Sequence, residues 1–419
     1  MKVFQVNKFH HIKGGAERYY LDVSDALTAA GHEVRHLAMA HARNVASSGD
    51  DRFVEEVDYR GGMGPVAKVR HAWRAIYNRD ARDMAAELAA QSGPEGAGDS
   101  AIAHLHNIYH QLSPSVIDGF KGRGVGIVQT LHDYKLVCPA YLLMTEGRIC
   151  ERCRGGNYYE AIKHRCLLGS RAASAVGTIE AYFHGSRGTY GKIDRFLCPS
   201  RFMLEKVAEF GISREKLVHL PYLVHADRYV PGEADEEGYA VYIGRLSREK
   251  GIETLIEAVT QLPEESTLRL KILGEGPVRE ALEEKVREKC PDRVEFLGFL
   301  SGDELHETIR RAAFAVVPSE WYENLPFAVL EPFALGTPVV GARIGGIPEM
   351  VEPGVTGQLH ESGDPESLRD ALLWMTSPEA DLKQMGTTAR RRIEKDYTVD
   401  RHLERLLEIY RDVAKEVAN

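Results

Sequence analysis

The sequence has few cysteines and no long apolar run. Six cysteines among 419 residues are too few for a disulfide scaffold, and no stretch approaches the roughly 20 apolar residues that span a bilayer. The amino terminus lacks the basic region and apolar segment of a secretory signal. With 39 glycines and 18 prolines, the chain is neither collagen-like nor of low complexity. We therefore expect a globular, cytoplasmic protein.

Positive charge is also scarce, and it is unevenly distributed. The 53 basic and 62 acidic residues give a net charge of −9, which argues against a nucleic-acid partner. Residues 1–220 hold 29 basic and 24 acidic side chains, whereas the rest of the chain holds 24 and 38. This asymmetry predicts two domains with different partners. Nine basic and four acidic residues lie in 147–195, as expected for a solvated face or for peripheral contact with the inner face of an anionic membrane.

Both halves of the chain alternate apolar strands with helical patterns. The strand MKVFQVN, a loop with two glycines, a helical pattern over 19–30 and the strand EVRHLAMA form a βαβ unit. In the second half, nearly every strand ends in Gly, Pro or Ser, and these residues let a ligand approach the carboxyl ends of parallel strands. We predict an α/β fold with domains at 1–222 and 223–398 and a final helix at 399–419 that packs on the first domain.

Phosphate-binding features follow two strands of the second half. Arg245 and Lys250 lie in GRLSREKG, where an arginine fork and a lysine point charge suit a diphosphate; a solvated basic loop is the alternative. Further on, Glu323 and Glu331 are eight residues apart in the segment PSEWYENLPFAVLE. Pro326 lies between them at the predicted first position of a helix, whose amino terminus favours an anion.

In this order, the motifs resemble those of the family 4 retaining glycosyltransferases. The matching segments are GRLSREKG, ILGEGP, FLGFL, FAVVPSEWYENLPFAVLEPFALGTPVV and GGIPEMVEPGVTG, with GGAER and LHD in the first half. The resemblance implies a GT-B fold, in which two Rossmann-like domains face each other across a cleft. It further implies transfer of a hexose-type sugar from a nucleotide-diphosphate donor to a glycan, lipid-linked or small-molecule acceptor in polysaccharide or glycoconjugate biosynthesis.

The resemblance also implies roles for individual residues. Arg245 and Lys250 would hold the diphosphate and neutralise the leaving group, so that catalysis needs no metal or other cofactor. Glu323 would contact the sugar hydroxyls, with His132 beside the sugar. Glu331 would bind the ribose, and the base would be read by the backbone near Phe299 and Leu300. The other predicted donor-binding residues are Gly14, Gly15, Gly244, Gly274, Asn324, Leu325 and Phe327. The resemblance does not decide whether the nucleotide of the donor is UDP, GDP or ADP.

A cysteine-containing insertion interrupts the first domain at 134–170, directly after the LHD motif. It holds four of the six cysteines with the spacing C-x11-C-x2-C-x12-C, at Cys138, Cys150, Cys153 and Cys166. In a reducing compartment this spacing predicts a structural zinc site that folds the insertion, with unpaired thiols as the alternative. His10 and His11, near the first loop, also suggest a metal, although such histidines need no ion to explain them.

Other functions remain as alternatives. A nucleotide-sugar epimerase or hydrolase would share the nucleotide site, and acceptor-dependent product formation separates these enzymes from a transferase. A zinc-bearing binding module is disfavoured by the continuous α/β pattern. A dinucleotide dehydrogenase is weaker still, because the first loop, KGGAER, lacks G-x-G-x-x-G.

Overall fold

Two parallel β-sheets organise the chain. The computed structural model describes residues 1–46, 51–57, 64–91, 101–232 and 238–418. Residues 233–237, which belong to the acidic segment between the two halves, lie outside the described residues. The α/β architecture predicted from the alternating pattern is confirmed.

The first sheet has the order β3-β2-β1-β4-β5-β8-β9, and the second has the order β12-β11-β10-β13-β14-β15. Each sheet reverses its strand order once, beside its first strand, which is the position where open α/β sheets bind ligands. A short antiparallel hairpin of β6 and β7 stands apart. The strands are β1 Lys2–Val6, β2 Glu33–Met39, β3 Arg52–Val54, β4 Ala101–Leu105, β5 Gly126–Thr130, β6 Met144–Thr145, β7 Arg148–Ile149, β8 Arg195–Cys198, β9 Leu217–His219, β10 Tyr239–Ile243, β11 Arg269–Leu273, β12 Val294–Gly298, β13 Phe314–Val317, β14 Val339–Ala342 and β15 Gly357–His360.

Helices connect the strands and cover the sheets. They are α1 Gly15–Ala29, α2 Pro65–Ile76, α3 Arg79–Ala90, α4 Ser115–Lys121, α5 Glu160–Lys163, α6 Arg171–Ser186, α7 Arg201–Glu209, α8 Ile252–Thr260, α9 Arg279–Lys289, α10 Gly302–Arg310, α11 Phe327–Ala334, α12 Pro365–Met375, α13 Leu382–Asp396 and α14 Val399–Ala418. Among the described helices, none combines the length and apolar character needed to cross a bilayer.

The last helix, α14, lies against β4 and β5 of the first sheet. The Tyr410 hydroxyl is 2.7 Å from His104 Nδ1, and the Tyr19 hydroxyl is 3.1 Å from His402 Nε2. A Cβ at Gly126 would meet a Val413 methyl at 2.7 Å, so the helix packs closely on the strand. One hydrophobic cluster joins buried side chains of both halves and of α14, and this packing fixes the two sheets around a shared cleft.

Two helix starts differ from the sequence-based expectation. Helix α1 begins at Gly15, four residues before the predicted start, because the loop glycine Gly14 serves as its N-cap. Helix α11 begins at Phe327, and Pro326 is the N-cap with φ −72° and ψ 131°. Proline therefore precedes the helix instead of occupying its first turn.

Candidate active site

A cleft of about 660 Å³ lies between the two sheets at the carboxyl ends of their strands. It is lined by loops that follow β1, β5, β10, β11, β12 and β13. The structure brings together every residue predicted to act on the donor: Gly14, Gly15, His132, Gly244, Arg245, Lys250, Gly274, Phe299, Leu300, Glu323, Asn324, Leu325, Phe327 and Glu331. Residues from both domains thus surround one space.

Two glycines permit the close approach of loops around this cleft. A Cβ at Gly15 would stand 2.6 Å from Cδ2 of Phe327, across the cleft on α11. Gly274 has φ +143°, and a Cβ there would stand 1.9 Å from the Gly244 carbonyl oxygen. A side chain at either position would push apart the loops that form the cleft.

Lys250 and Glu323 form an ion pair on the second-domain side. Lys250 Nζ is 2.7 Å from Glu323 Oε1, which also accepts a hydrogen bond from the Ser319 hydroxyl at 2.7 Å. The ammonium lies 5.0 Å from the centre of the Trp321 ring. Glu323 is 5% exposed, so its carboxylate is held in one orientation at the cleft wall. The pair places a cation and a fixed acceptor side by side, as a phosphate and a sugar hydroxyl would require.

Arg245 and the amino terminus of α11 supply further positive potential. Arg245 is exposed and lines the cleft, and its carbonyl oxygen accepts a hydrogen bond from the Tyr242 hydroxyl at 2.9 Å. The first residues of α11, Phe327 and Ala328, line the same cleft. Because the first N–H groups of a helix have no acceptor within it, they favour an anion there. The site therefore carries cationic groups although its domain is acidic.

Glu331 is paired across the cleft. The Arg18 guanidinium, from the first turn of α1, forms an ion pair with the Glu331 carboxylate and donates to the Tyr229 hydroxyl at 2.5 Å. Burial raises the pKa of Glu331, and the charge of Arg18 opposes that rise. The predicted ribose-binding carboxylate thus faces the cleft, and a side chain of the opposite domain holds it.

His132 is fixed by hydrogen bonds at both ring nitrogens. Nδ1 is 2.7 Å from the Tyr222 hydroxyl, and Nε2 is 3.0 Å from His106 Nδ1. His106 Nε2 is in turn 2.8 Å from Gln5 Oε1. If His106 donates to this carbonyl oxygen, His132 Nε2–H donates to His106 and the Tyr222 hydroxyl donates to His132. Burial lowers the pKa of His132 to about 3, so this ring is neutral where it lines the cleft.

Asn324 lines the cleft, but its side chain joins the two domains. Its amide nitrogen donates to the Leu131 carbonyl oxygen at 2.8 Å, and its carbonyl oxygen accepts from the Ser200 hydroxyl at 3.0 Å. These bonds direct the side-chain amide of Asn324 towards the first domain. The same contacts keep the Glu323 loop against the first domain.

Several residues of the cleft were not predicted from sequence. Arg18 lies in the GGAER motif, in the first turn of a helix that begins at a loop of the cleft. This position in the sequence could have indicated that Arg18 lines the cleft. Tyr222 is stacked between His132 and Phe327, with ring centres 5.6 Å from each. Trp321 lies beside Lys250. No local pattern distinguishes these two aromatic residues from core residues.

The cysteine-containing insertion reaches the second domain. Glu151 accepts hydrogen bonds from the Tyr322 hydroxyl at 3.0 Å and from Lys206 at 2.9 Å. All four cysteines carry free thiols. Burial raises the pKa of Cys153 to about 12, and the charges of Cys138, Cys150 and Cys166 add to the rise. Within the described insertion, no three of the sulfur atoms lie within 4.8 Å of one another, and the zinc site stays a prediction.

Buried neutral histidines predict a loss of stability in acid. Burial lowers the pKa of His132 to about 3 and the pKa values of His110, His360 and His402 to about 4. Because an unfolded histidine titrates near 6.5, the unfolded chain binds protons first, and stability falls as the pH drops from 6.5 towards 4. At pH 5.5 each such histidine costs on the order of 1 kcal/mol.

His360, which lies outside the cleft, allows a clean measurement of this effect. In His360→Gln, the fall in unfolding free energy between pH 7.5 and 5.5 should be smaller than in the wild type by about 1 kcal/mol. Denaturant unfolding at several pH values measures both slopes. Identical slopes would show that His360 does not contribute to acid sensitivity.

The architecture corresponds to known glycosyltransferases. The fold is shared with sucrose-phosphate synthase from Thermosynechococcus elongatus, with a TM-score of 0.71 and 20% identity over 98% of both chains. It is also shared with Anabaena HepE, solved in complex with UDP and glucose, with a TM-score of 0.65 and 14% identity over 98% of this chain and 100% of that one. The protein therefore has the GT-B fold of two Rossmann-like domains that face each other across a cleft.

The sequence comparisons identify the family. The model of Glycosyltransferase Family 4 matches residues 13–228, and the model of Glycosyl transferases group 1 matches residues 225–392. The chain belongs to glycosyltransferase family 4, as the motifs indicate.

Curated relatives match part of the chain. An uncharacterized glycosyltransferase of Methanocaldococcus jannaschii is 31% identical over 43% of this chain and 46% of its own length. A putative colanic acid biosynthesis glycosyltransferase of Salmonella typhimurium is 30% identical over 52% of this chain and 54% of its own length. The chain thus spans about half the length of these two relatives.

Proposed function

We propose that this glycosyltransferase moves a hexose-type sugar from a nucleotide-diphosphate sugar to a glycan, lipid-linked or small-molecule acceptor, with retention of anomeric configuration. The single observation that carries the proposal is the assembly of the predicted donor residues of both domains around one cleft. The complex of HepE with UDP and glucose and the polysaccharide-related name of the Salmonella relative support this substrate class.

The charges in the cleft suit departure of a nucleoside diphosphate. Lys250 and Arg245 face the space in front of α11, where they stabilise the negative charge that develops on the leaving phosphate. The Lys250 ammonium, which pairs with Glu323, has further N–H groups that can donate to the diphosphate. Catalysis in this proposal uses these cations and needs no divalent metal.

Glu323 positions the sugar. Its second carboxylate oxygen is available to sugar hydroxyls, while Ser319 and Lys250 hold the first. The donor phosphate accepts the proton of the acceptor hydroxyl as the new glycosidic bond forms on the face that the phosphate leaves. Neutral His132 forms the opposite wall and excludes water from the reacting carbon. Glu331 binds the ribose, and the loop at Phe299 contacts the base.

Acceptor-dependent transfer separates this proposal from its alternatives. The purified protein should be incubated with a UDP-, GDP- or ADP-sugar, in the presence of EDTA, with and without a panel of acceptors. The proposal predicts a new glycoside whose anomeric proton coupling in NMR matches that of the donor. Free sugar formed without an acceptor would indicate a hydrolase, a donor changed at one ring carbon would indicate an epimerase, and a product of inverted configuration would contradict retention.

We also propose peripheral contact with an anionic membrane through one apolar surface of the first domain. The surface lies on helices α2 and α6, which meet through a contact between the rings of Trp73 and Phe183. Its five apolar side chains are between 43% and 84% exposed: Val66, Val69 and Trp73 on α2, and Ile179 and Tyr182 on α6. The same two helices carry exposed basic side chains at Arg70 on α2 and Arg171 on α6. An apolar surface with a cationic border is typical of proteins that lie on anionic lipid.

Vesicle flotation tests the membrane proposal. The protein should float with vesicles that contain phosphatidylglycerol and should stay behind with pure phosphatidylcholine vesicles. The double variant Trp73→Ser, Ile179→Ser should lose at least tenfold in binding, whereas Val45→Ser, at an apolar residue that is 43% exposed elsewhere, should bind like the wild type. Equal recovery of the wild type and the double variant would contradict the proposed surface.

We propose that the four cysteines hold a structural zinc ion. The proposal is supported by the presence of four thiols in one short insertion and by the small size of that insertion, which a bound metal would stabilise. The double variant Cys150→Ser, Cys153→Ser should lose the bound zinc and melt at a lower temperature. The single variant Cys290→Ser, at a buried cysteine of the second domain, is the control. Wild-type zinc content in the double variant, measured by atomic emission, would refute the site.

A further inference from the structure

A second group of metal-ligating side chains lies behind the first loop, outside the cleft. His10, His36 and Asp51 each offer one ligand atom, and these three atoms lie within 4.8 Å of one another. His10 belongs to the loop between β1 and α1, His36 lies on β2, and Asp51 directly precedes β3. His10 is 1% exposed and Asp51 8% exposed. Three segments of the first domain thus bring these polar side chains together in one largely buried cluster.

The hydrogen bonds of this group leave ligand atoms without partners. The Asp51 carboxylate accepts from the His36 backbone N–H at 2.7 Å and from His36 Nδ1–H at 3.1 Å. This bond fixes the tautomer in which His36 Nε2 carries a lone pair. His10 Nδ1 bonds the Tyr20 hydroxyl at 2.8 Å. The Nε2 atoms of both histidines are buried and have no hydrogen-bond partner among the described residues.

Buried polar atoms without partners are costly, and a cation among the three residues would give His10 Nε2 a partner. His10 is 1% exposed, and neutral imidazole is the form of histidine that binds metals. The ion would take the place of the proton between His36 Nδ1 and the Asp51 carboxylate and release that proton to solvent, so that both groups bind it together with His10. The surrounding rings of Tyr20 and Phe53 would keep most water away.

We propose that His10, His36 and Asp51 form a binding site for a divalent transition-metal ion, with zinc as the best fit to two imidazoles and a carboxylate. The ion would tie the loop that leads to Gly14 and Gly15 to the edge of the first sheet. It would thereby hold this cleft-facing loop in place without contact with the donor. The site is separate from the cysteine-containing insertion and does not depend on the proposed transfer reaction.

Cobalt titration tests the proposal and distinguishes the two metal sites. The full-length protein is stripped with EDTA, exchanged into metal-free buffer and titrated with Co²⁺. Cobalt bound by cysteine thiolates gives strong charge-transfer absorption in the near ultraviolet, whereas cobalt bound by imidazole and carboxylate gives only visible d–d bands. Beyond any cobalt bound by the cysteines, the wild type should bind one equivalent of cobalt that adds no thiolate absorption, and zinc should displace it.

Matched variants show which residues bind this equivalent of cobalt. His36→Gln and Asp51→Asn should each weaken its binding at least tenfold, while His32→Gln, at the residue before β2, should leave it unchanged. Asp51→Asn retains a carbonyl oxygen for the His36 backbone N–H, and circular dichroism verifies its fold. The proposal is overturned if the wild type binds no cobalt outside the thiolate band, or if folded Asp51→Asn binds cobalt like the wild type.

Discussion

Replacement of Lys250 by alanine should lower kcat/KM for the donor about a hundredfold, which corresponds to about 2.7 kcal/mol. The ammonium is the cation whose position is fixed at the cleft wall, 2.7 Å from Glu323. Its removal takes away a charge that stabilises the departing diphosphate and leaves the Glu323 carboxylate beside the cleft without its counter-ion. Steady-state kinetics with varied donor and saturating acceptor give the value, and calorimetry shows how much of it is lost donor affinity.

Arg248→Ala is the matched control for this variant. Arg248 belongs to the same loop and carries the same charge, but its side chain is 79% exposed, and it lies 3.6 Å from Glu253, outside the cleft. The control should keep at least half of the wild-type kcat/KM. An equal loss in both variants would mean that the loop acts through its net charge or its folding, and no loss in Lys250→Ala would remove Lys250 from the site.

Substitution of Glu323 by glutamine should separate catalysis from nucleotide binding. The amide can still accept the hydrogen bond of Ser319, but it no longer presents a charge to the sugar and to the positive transition state. We expect kcat to fall 100- to 1000-fold, while the affinity for the free nucleoside diphosphate stays within about threefold. Single-turnover kinetics and calorimetric titration of the nucleotide measure the two effects on the same preparation.

Glu320→Gln is the control for the carboxylate. Glu320 precedes Glu323 by three residues and accepts a hydrogen bond from Thr254, away from the cleft-lining residues. Its substitution should leave kcat within a factor of three. If Glu323→Gln also retained normal kcat, the role of Glu323 would be purely structural, through its bonds to Ser319 and Lys250.

The sequence predicts the elements that depend on local patterns. Apolar strands followed by small residues predict the two parallel sheets and place Gly244, Gly274 and Glu323 at strand ends. Because the carboxyl ends of parallel strands share one edge, separate motifs then converge on one site. The same argument predicts the loop that carries Arg245 and Lys250 and the helix α11 at this edge. These parts of the fold and of the cleft can be predicted without the arrangement of the two domains.

The contacts between the domains are not predictable in this way. Arg18 meets Glu331, 313 residues further along the chain, only because α1 and α11 face each other. Asn324 follows the predicted sugar-binding glutamate, yet its side chain bonds the first domain. His132 lies beside the cleft as the resemblance implies, but its engagement at both nitrogens depends on Tyr222 and His106. Such pairings follow from domain packing, and residue periodicity carries no information about them.

We propose that the cleft binds a nucleoside diphosphate through Arg245, Lys250 and the α11 amino terminus without a divalent metal. Calorimetric titration of UDP, GDP and ADP into the protein, in buffer with EDTA, measures this binding. We expect saturable binding of one of the three at one site per chain, weakened as the salt concentration rises. Absence of binding by all three in EDTA, or binding that appears only after addition of Mg²⁺ or Mn²⁺, would contradict it.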